Sequence, residues 1–225
     1  MNANGFEKLH GIDEMDEKQV LTLCRTAEWL TRQKLSGTIE LYRPVKVQTG
    51  RTPRQTGARR IRRTNVMKRI GILGAGTWGM ALARMLTVSG NDVLVWSAIE
   101  KEIDSLSTTR KHPNLPQMKI PDELRFTKSI EEVCKDKDIL LFAVPSVFVR
   151  STAAKARPYV ADGQIIVDVA KGIEPDTLYT MTEILADELG KEGGPKGVRL
   201  VALSGPTHAE EVAIDLPTTI VSVSK

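Results

Sequence analysis

Short apolar runs alternate with segments of helical periodicity over the last two thirds of the chain. A β-branched apolar run at 70–73 predicts a buried strand, and a helix from Trp78 to Val88 follows it. The apolar face of that helix consists of Ala81, Leu82, Met85 and Leu86. Ser89-Gly90 predicts the end of the helix, because glycine readily adopts the left-handed conformation common at helix C-termini.

The same alternation continues to the end of the chain. We expect further strands at 91–96, 124–127, 138–144, 164–169, 198–203 and 220–223. We expect helices at about 99–107, from Ser129 through Val133, after Pro145-Ser146 to about Tyr159, and at 177–189. In the last of these, Leu178, Met181, Ile184 and Leu185 are expected to face inward. A proline-rich loop spans 108–121, and Gly193-Gly194-Pro195 forms a turn. Strands that alternate with helices predict an α/β fold with a doubly wound, mostly parallel sheet.

Three glycines separate the first strand from the first helix. Gly74, Gly76 and Gly79 form G-x-G-x-x-G in the strand–turn–helix context that dinucleotide binding requires. The first glycine allows the tight turn, the second lets the backbone approach a pyrophosphate, and the third lets the helix pack closely on the sheet. A glycine-rich turn without a ligand is the alternative, which this context disfavours. The motif indicates a Rossmann-type sheet.

Charge divides the 225-residue chain unevenly. Residues 1–42 carry a net charge of −2, residues 43–69 carry +10, and residues 70–225 carry −4. An amphipathic helix is predicted at 13–35, followed by a basic linker at 36–66 that is expected to be disordered. We therefore divide the chain into an extension, 1–66, and a nucleotide-binding domain, 67–225. A non-native leader ending before Met67 is a further hypothesis.

Composition narrows the class of protein. The N-terminal residues lack the apolar region of a secretory signal, and no apolar run is long enough to span a bilayer. Cys24 and Cys134 have no metal-ligand spacing, so no metal site is predicted, and both are expected to be reduced, as in a cytoplasmic protein. A basic linker could contact nucleic acid, but without interleaved aromatics we expect a solvated segment and no nucleic-acid or membrane partner.

Unusual residues follow the later strands, where ligands of a doubly wound sheet bind. Lys171, beside a glycine, is a candidate for contact with an anion or carbonyl; a plain surface lysine is the alternative. Ser204–Thr207 could contact a polar substrate; a plain turn with Thr207 as a helix N-cap is the alternative, and both could hold at once. His208 is expected to be a surface residue rather than a general base. Trp78 and Trp96 are expected to pack or to border the cofactor.

The second strand lacks the terminal acid that would hold the adenosine ribose of NAD. Its end has the sequence Trp96-Ser97-Ala98-Ile99, and the next acid, Glu100, is expected in the helix. Lys101 would be a weak partner for a 2′-phosphate. The choice between NAD and NADP is therefore open.

Five motifs together resemble NAD(P)-dependent glycerol-3-phosphate dehydrogenases. They are GAGTWG at 74–79, VLVW at 93–96, AVPS at 143–146, KGIE at 171–174, and SGPTHAEEVA followed by LPT at 204–218. The resemblance covers 67–225. It implies reversible hydride transfer between a nicotinamide, NAD or NADP, and dihydroxyacetone phosphate, which yields sn-glycerol 3-phosphate for glycerophospholipid synthesis, and it implies a homodimer for the full-length family. Ketopantoate reductases share the fold, but KGIE and SGPTHAEEVA disfavour them.

The resemblance also implies roles for individual residues. The cofactor would contact Gly74, Ala75, Gly76, Thr77, Trp78, Gly79, Phe148, Lys171 and Ala209. The substrate would contact Lys171, Gly205 and Thr207. The family often has Arg or His at the position of Ala98, so NADP preference is not expected from that position.

The family's second, mostly helical domain carries its proton-transferring lysine, which we expect to lie beyond Lys225. We therefore assign no catalytic residue within the chain. We expect the chain alone to bind dinucleotide with poor or no turnover, since hydride transfer to a carbonyl also requires a proton donor. A non-catalytic dinucleotide-binding module is the alternative function.

Overall fold

The computed structural model describes residues 67–224, so the predicted helix at 13–35, the basic linker and Cys24 lie outside the described residues. The strands are β1 (Arg69–Leu73), β2 (Asp92–Trp96), β3 (Arg125–Thr127), β4 (Ile139–Phe142), β5 (Ile165–Asp168), β6 (Arg199–Ser204) and β7 (Val221–Ser224). The α-helices are α1 (Thr77–Val88), α2 (Glu100–Thr109), α3 (Ile130–Cys134), α4 (Val149–Ala156), α5 (Met181–Leu189) and α6 (Ala209–Ala213). Short 3₁₀ turns, Ser146–Phe148 and Arg157–Tyr159, flank α4.

The strands form one sheet in the order β3-β2-β1-β4-β5-β6-β7. Every neighbouring pair is parallel except β6–β7. The chain moves outward from β1 in one direction through β2 and β3, then returns to β4 and continues on the other side. This reversal confirms the predicted Rossmann-type, doubly wound, mostly parallel sheet, and it places a switch point between β1 and β4.

Both faces of the sheet are covered by helices. One apolar cluster joins the sheet to α1, α2 and α6, and a second joins it to α3, α4 and α5. Strands buried on both faces explain the continuous apolar runs in the sequence. Cys134 lies in the second cluster as a free thiol, and burial raises its pKa to about 12, as expected for a structural cysteine.

Helix ends follow local chemistry. The Ser129 hydroxyl accepts from the backbone N–H of Glu132 and caps α3, as predicted. Gly90 has φ +85° after α1, also as predicted. None of the helices between residues 67 and 224 combines the length and the apolar character needed to cross a membrane.

The predicted start of the helix at Thr177 is wrong. The helix α5 begins at Met181 because Thr180 and Glu183 form a reciprocal capping box there. Leu178, predicted to face inward, is 74% exposed with φ +58°. It belongs to a loop in which its N–H donates to the Glu174 carbonyl.

Candidate functional site

A cavity of about 540 Å³ opens at the carboxyl edge of the sheet, beside the switch point. Its walls come from four segments, 76–78, 143–146, 169–171 and 207–210, which follow β1, β4, β5 and β6. Its volume lies in the range of small-molecule sites. Parallel strands place their carboxyl ends on the same edge, which is why segments distant in sequence share one cavity.

The three glycines of the turn meet different surroundings. A Cβ on Gly74, where φ is +120°, would lie 2.6 Å from the Ala143 carbonyl oxygen. A Cβ on Gly79 would lie 2.2 Å from the Gly74 carbonyl oxygen, so this helix position must be a glycine for α1 to pack. A Cβ on Gly76 would meet nothing within 4 Å. Packing therefore requires Gly74 and Gly79, whereas Gly76 leaves open space beside the cavity.

The first turn of α1 suits an anion. Gly76 is the N-cap of this 12-residue helix and provides no side-chain cap, and the first turn contains no acidic residue. The uncapped N–H groups and the positive end of the helix dipole therefore face the glycine turn. Trp78 packs against the core and also lines the cavity. Trp96 is buried and donates from its indole Nε1 to the Lys128 carbonyl, so it is a packing residue.

Lys171 joins the ends of β5 and β6. Its Nζ donates to the Gly205 carbonyl at 3.0 Å and to the Thr207 hydroxyl at 3.3 Å. The fold thus brings together the three residues predicted to meet the substrate. The alternative interpretation of Thr207 as a helix cap is wrong, because His208 is the N-cap residue of α6. The Thr207 hydroxyl instead accepts a hydrogen bond from Lys171.

Of the remaining residues predicted to contact a ligand, some line the cavity and others do not. Thr77 and Ala209 line the cavity. Ala75 is buried, so only its backbone could meet a ligand. Phe148 is 56% exposed on the 3₁₀ turn after β4, outside the cavity wall. His208 is exposed as expected, but it lines the cavity together with Glu210, which the sequence did not single out.

An ion pair behind Lys171 was not predicted. Arg150 of α4 donates from Nε and Nη2 to the two carboxylate oxygens of Glu174, each at 2.7 Å. It also pairs with Asp187 of α5. Two groups, Arg150 and the Thr177 hydroxyl, lower the pKa of Glu174 to about 2. The Glu174 backbone meanwhile bonds Leu178 and Tyr179, so the ion pair anchors the loop that follows Lys171.

We expect Glu174→Gln to loosen that loop, because the neutral amide keeps the size of the side chain but loses the charge-assisted bonds to Arg150. The backbone amides of Glu174 (as Gln) and Leu178 should exchange hydrogen faster, with the sheet amides unchanged. Glu123→Gln, at an exposed glutamate in the loop before β3, is the matched control. Equal exchange in the Glu174 variant and the wild type would show that the ion pair does not order the loop.

A buried carboxyl at the end of β5 was also missed. Asp168 is 4% exposed and accepts from the backbone N–H of Ala170 at 3.2 Å. Burial raises the pKa of Asp168 to about 7, and the Ala170 N–H opposes this only in part. The sequence could have indicated a buried carboxyl here, because Asp168 lies within a continuous apolar run.

Comparison with known proteins agrees with this architecture. A family model described as the N-terminus of NAD-dependent glycerol-3-phosphate dehydrogenase matches residues 69–225. A Lactobacillus delbrueckii subsp. bulgaricus protein named glycerol-3-phosphate dehydrogenase [NAD(P)+] 2 is 69% identical over 156 residues, which are 69% of this chain and 46% of that protein. The Agathobacter rectalis glycerol-3-phosphate dehydrogenase [NAD(P)+] is 48% identical over 157 residues, 69% and 45% of the two chains.

Solved structures agree in fold. The glycerol-3-phosphate dehydrogenase of Coxiella burnetii superposes with a TM-score of 0.61 at 30% identity, over 70% of this chain and 47% of that one. A UDP-glucose dehydrogenase from Pyrobaculum islandicum, at 19% identity and a TM-score of 0.58 over 72% and 42% of the two chains, shares the fold alone. The chain spans less than half the length of the curated relatives it matches. From the family match and these relatives, the chain belongs to the NAD-dependent glycerol-3-phosphate dehydrogenase family, of which residues 69–225 match the N-terminal part.

Proposed function

We propose that residues 67–225 form the dinucleotide-binding unit of a glycerol-3-phosphate dehydrogenase that uses NAD or NADP. The observation that carries this proposal is the single cavity joining the glycine turn to the Lys171–Thr207 pair. A dinucleotide and a small phosphorylated ketone could share it. In the proposed reaction, dihydroxyacetone phosphate and sn-glycerol 3-phosphate interconvert, for glycerophospholipid synthesis in the cytoplasm.

The chain's own residues would bind and orient the reactants. The nicotinamide, when bound, supplies or accepts the hydride. The open face of Gly76 and the first-turn N–H groups of α1 would hold the pyrophosphate. Lys171 would turn a free N–H toward an oxygen of the substrate, since an ammonium has three donors and two are engaged here. Thr207 would fix that ammonium and present its hydroxyl to the same oxygen.

A dinucleotide-binding module without turnover is the second candidate. It requires only the glycine turn and the cavity, and it assigns the two hydrogen bonds of Lys171 to holding the ends of β5 and β6 together. The two functions differ in one measurement. Tighter binding of NADH or NADPH to the purified chain in the presence of dihydroxyacetone phosphate, measured by calorimetry, would support the dehydrogenase unit. Saturable dinucleotide binding that dihydroxyacetone phosphate leaves unchanged would support the binding module.

The direct test of binding is calorimetric titration of the 225-residue chain with NADH and with NADPH. Saturable binding of either would support the proposed site. Absence of binding to both by folded protein would refute it.

Lys171→Ala is expected to keep most of the NADH affinity and to lose the tightening that dihydroxyacetone phosphate causes. A charge-assisted hydrogen bond contributes about 1.5–3 kcal/mol, so the loss should reach about tenfold or more in the coupled affinity. The measurement is NADH titration with and without dihydroxyacetone phosphate. Lys155→Ala, an exposed lysine of α4, is the control. Full tightening in the Lys171 variant would remove this lysine from the substrate site.

A further inference from the structure

The end of β2 lies directly beside the glycine turn. The Gly74 N–H donates to the Trp96 carbonyl at 2.8 Å, and Leu73 is in register with Trp96. In a doubly wound sheet, this corner receives the adenosine ribose, and an acid about 20 residues after the glycines commonly accepts from its 2′-hydroxyl. Positions 97–99 contain no acid, so a side chain from elsewhere would have to supply the carboxylate.

Glu102 brings a carboxylate to this corner from the first turn of α2. The Ser97 side chain is buried, and its hydroxyl donates to Glu102 Oε2 at 2.6 Å while accepting from the Ile99 N–H at 3.1 Å. The accepted bond orients the hydroxyl and therefore its proton. The hydrogen bond to Ser97 thus holds the carboxylate of Glu102 beside the end of β2. Glu102 itself lies 23 residues after Gly79.

The charges at this corner leave that carboxylate uncompensated. In the described part of the chain, Lys128 pairs with Glu100 at 3.6 Å and with Asp104 at 2.7 Å, and these ion pairs leave Glu102 out. Ala98 offers no cation, and the exposed Lys101 forms no ion pair with Glu102 in the described part of the chain. An unneutralised carboxylate can accept from a ribose hydroxyl, but it repels a 2′-phosphate through like charge.

We propose that Glu102, positioned by Ser97, selects NAD(H) over NADP(H). The proposal rests on the dinucleotide site proposed above and adds its specificity. Ser97 is the positioning residue and Glu102 the one that meets the ribose. A role in capping α2 alone would affect both dinucleotides equally, so the ratio of the two affinities separates the two roles.

The test is calorimetric titration of the full chain with NADH and NADPH, alongside urea unfolding. Wild type should bind NADH more tightly, by about tenfold or more, the size expected for one unfavourable charge contact. Glu102→Gln should narrow that ratio about tenfold, chiefly by improving NADPH binding. Ser97→Ala should narrow the ratio only in part, because Glu102 keeps its negative charge but loses the hydrogen bond that positions it. Glu100→Gln, on the same turn, should leave the ratio unchanged.

Each other outcome has a definite meaning. Wild type that binds both dinucleotides equally, or an unchanged ratio in Glu102→Gln, overturns the specificity role and leaves the binding site intact. Lower stability of Glu102→Gln at an unchanged ratio assigns Glu102 to helix capping and equally overturns it. Wild type that is folded and binds neither dinucleotide refutes the proposed function, and the specificity role with it.

Discussion

Gly79→Ala is expected to lower the free energy of unfolding by about 2–3 kcal/mol, the cost of overpacking a close contact. The new Cβ would sit 2.2 Å from the Gly74 carbonyl oxygen, a backbone atom that cannot rotate away. To relieve the clash, α1 must move off the sheet and the glycine turn must open. Dinucleotide binding should fall with stability. The measurement is urea unfolding, followed by NADH titration of the folded fraction.

Gly76→Ala is the matched variant, since a Cβ there meets no atom within 4 Å and its φ of −66° suits alanine. Stability should fall by less than about 1 kcal/mol, the scale of a change at an N-cap. Affinity for NADH should nevertheless fall about tenfold or more, because the methyl group occupies the space proposed for the pyrophosphate. If Gly79→Ala is as stable as the wild type, Gly79 is not required for packing. If Gly76→Ala binds NADH as tightly as the wild type, the space beside Gly76 does not hold the pyrophosphate.

Asp168→Asn is expected to change how stability depends on pH. The pKa of Asp168 is about 7 in the folded protein, above the value near 3.9 of an unfolded aspartate. Between these values the folded state keeps a proton that the unfolded state has released. This carboxyl therefore makes the folded state progressively less stable as the pH rises from about 4 to about 7. Asparagine removes that dependence and can still accept from the Ala170 N–H.

The free energy of unfolding of Asp168→Asn, relative to that of wild type, should rise by about 2.6 kcal/mol between pH 5 and pH 8. Urea unfolding at the two pH values measures it. Asp122→Asn, at an exposed aspartate before β3, controls for the loss of one surface charge. A constant difference between Asp168→Asn and wild type across this range would mean that the carboxyl is ionised at a normal pKa.

Local patterns carried most of the fold. Apolar runs located the central strands of the described sheet, such as β1 and β4, because strands covered on both faces exclude most polar side chains. The glycine spacing located the turn, because two of those glycines sit where no Cβ fits. The prediction failed at Thr177–Thr180. Helical periodicity is present there, but the Thr180–Glu183 capping box makes the helix begin only at Met181.

The site could be predicted only in outline. The strand ends indicated Lys171 and Thr207, but not the hydrogen bond between them, which joins residues 36 positions apart. The sequence around Arg150 did not indicate its ion pair, because Glu174 comes close to Arg150 only when β4 and β5 lie side by side. Pairings of this kind depend on strand order, which a local pattern does not encode.

The amino-acid sequence by itself determined the elements, the glycine turn, the family and the edge of the sheet that forms the cavity. These follow from side-chain size and polarity at short spacing. Only the tertiary structure decided which polar and charged groups contact one another and which of them are buried. It drew Glu102 back to Ser97, tied Arg150 to Glu174 and buried Asp168. The physical reason is that Coulomb and desolvation energies depend on distance and burial in three dimensions, whereas the pattern along the chain reports only which side chains avoid water.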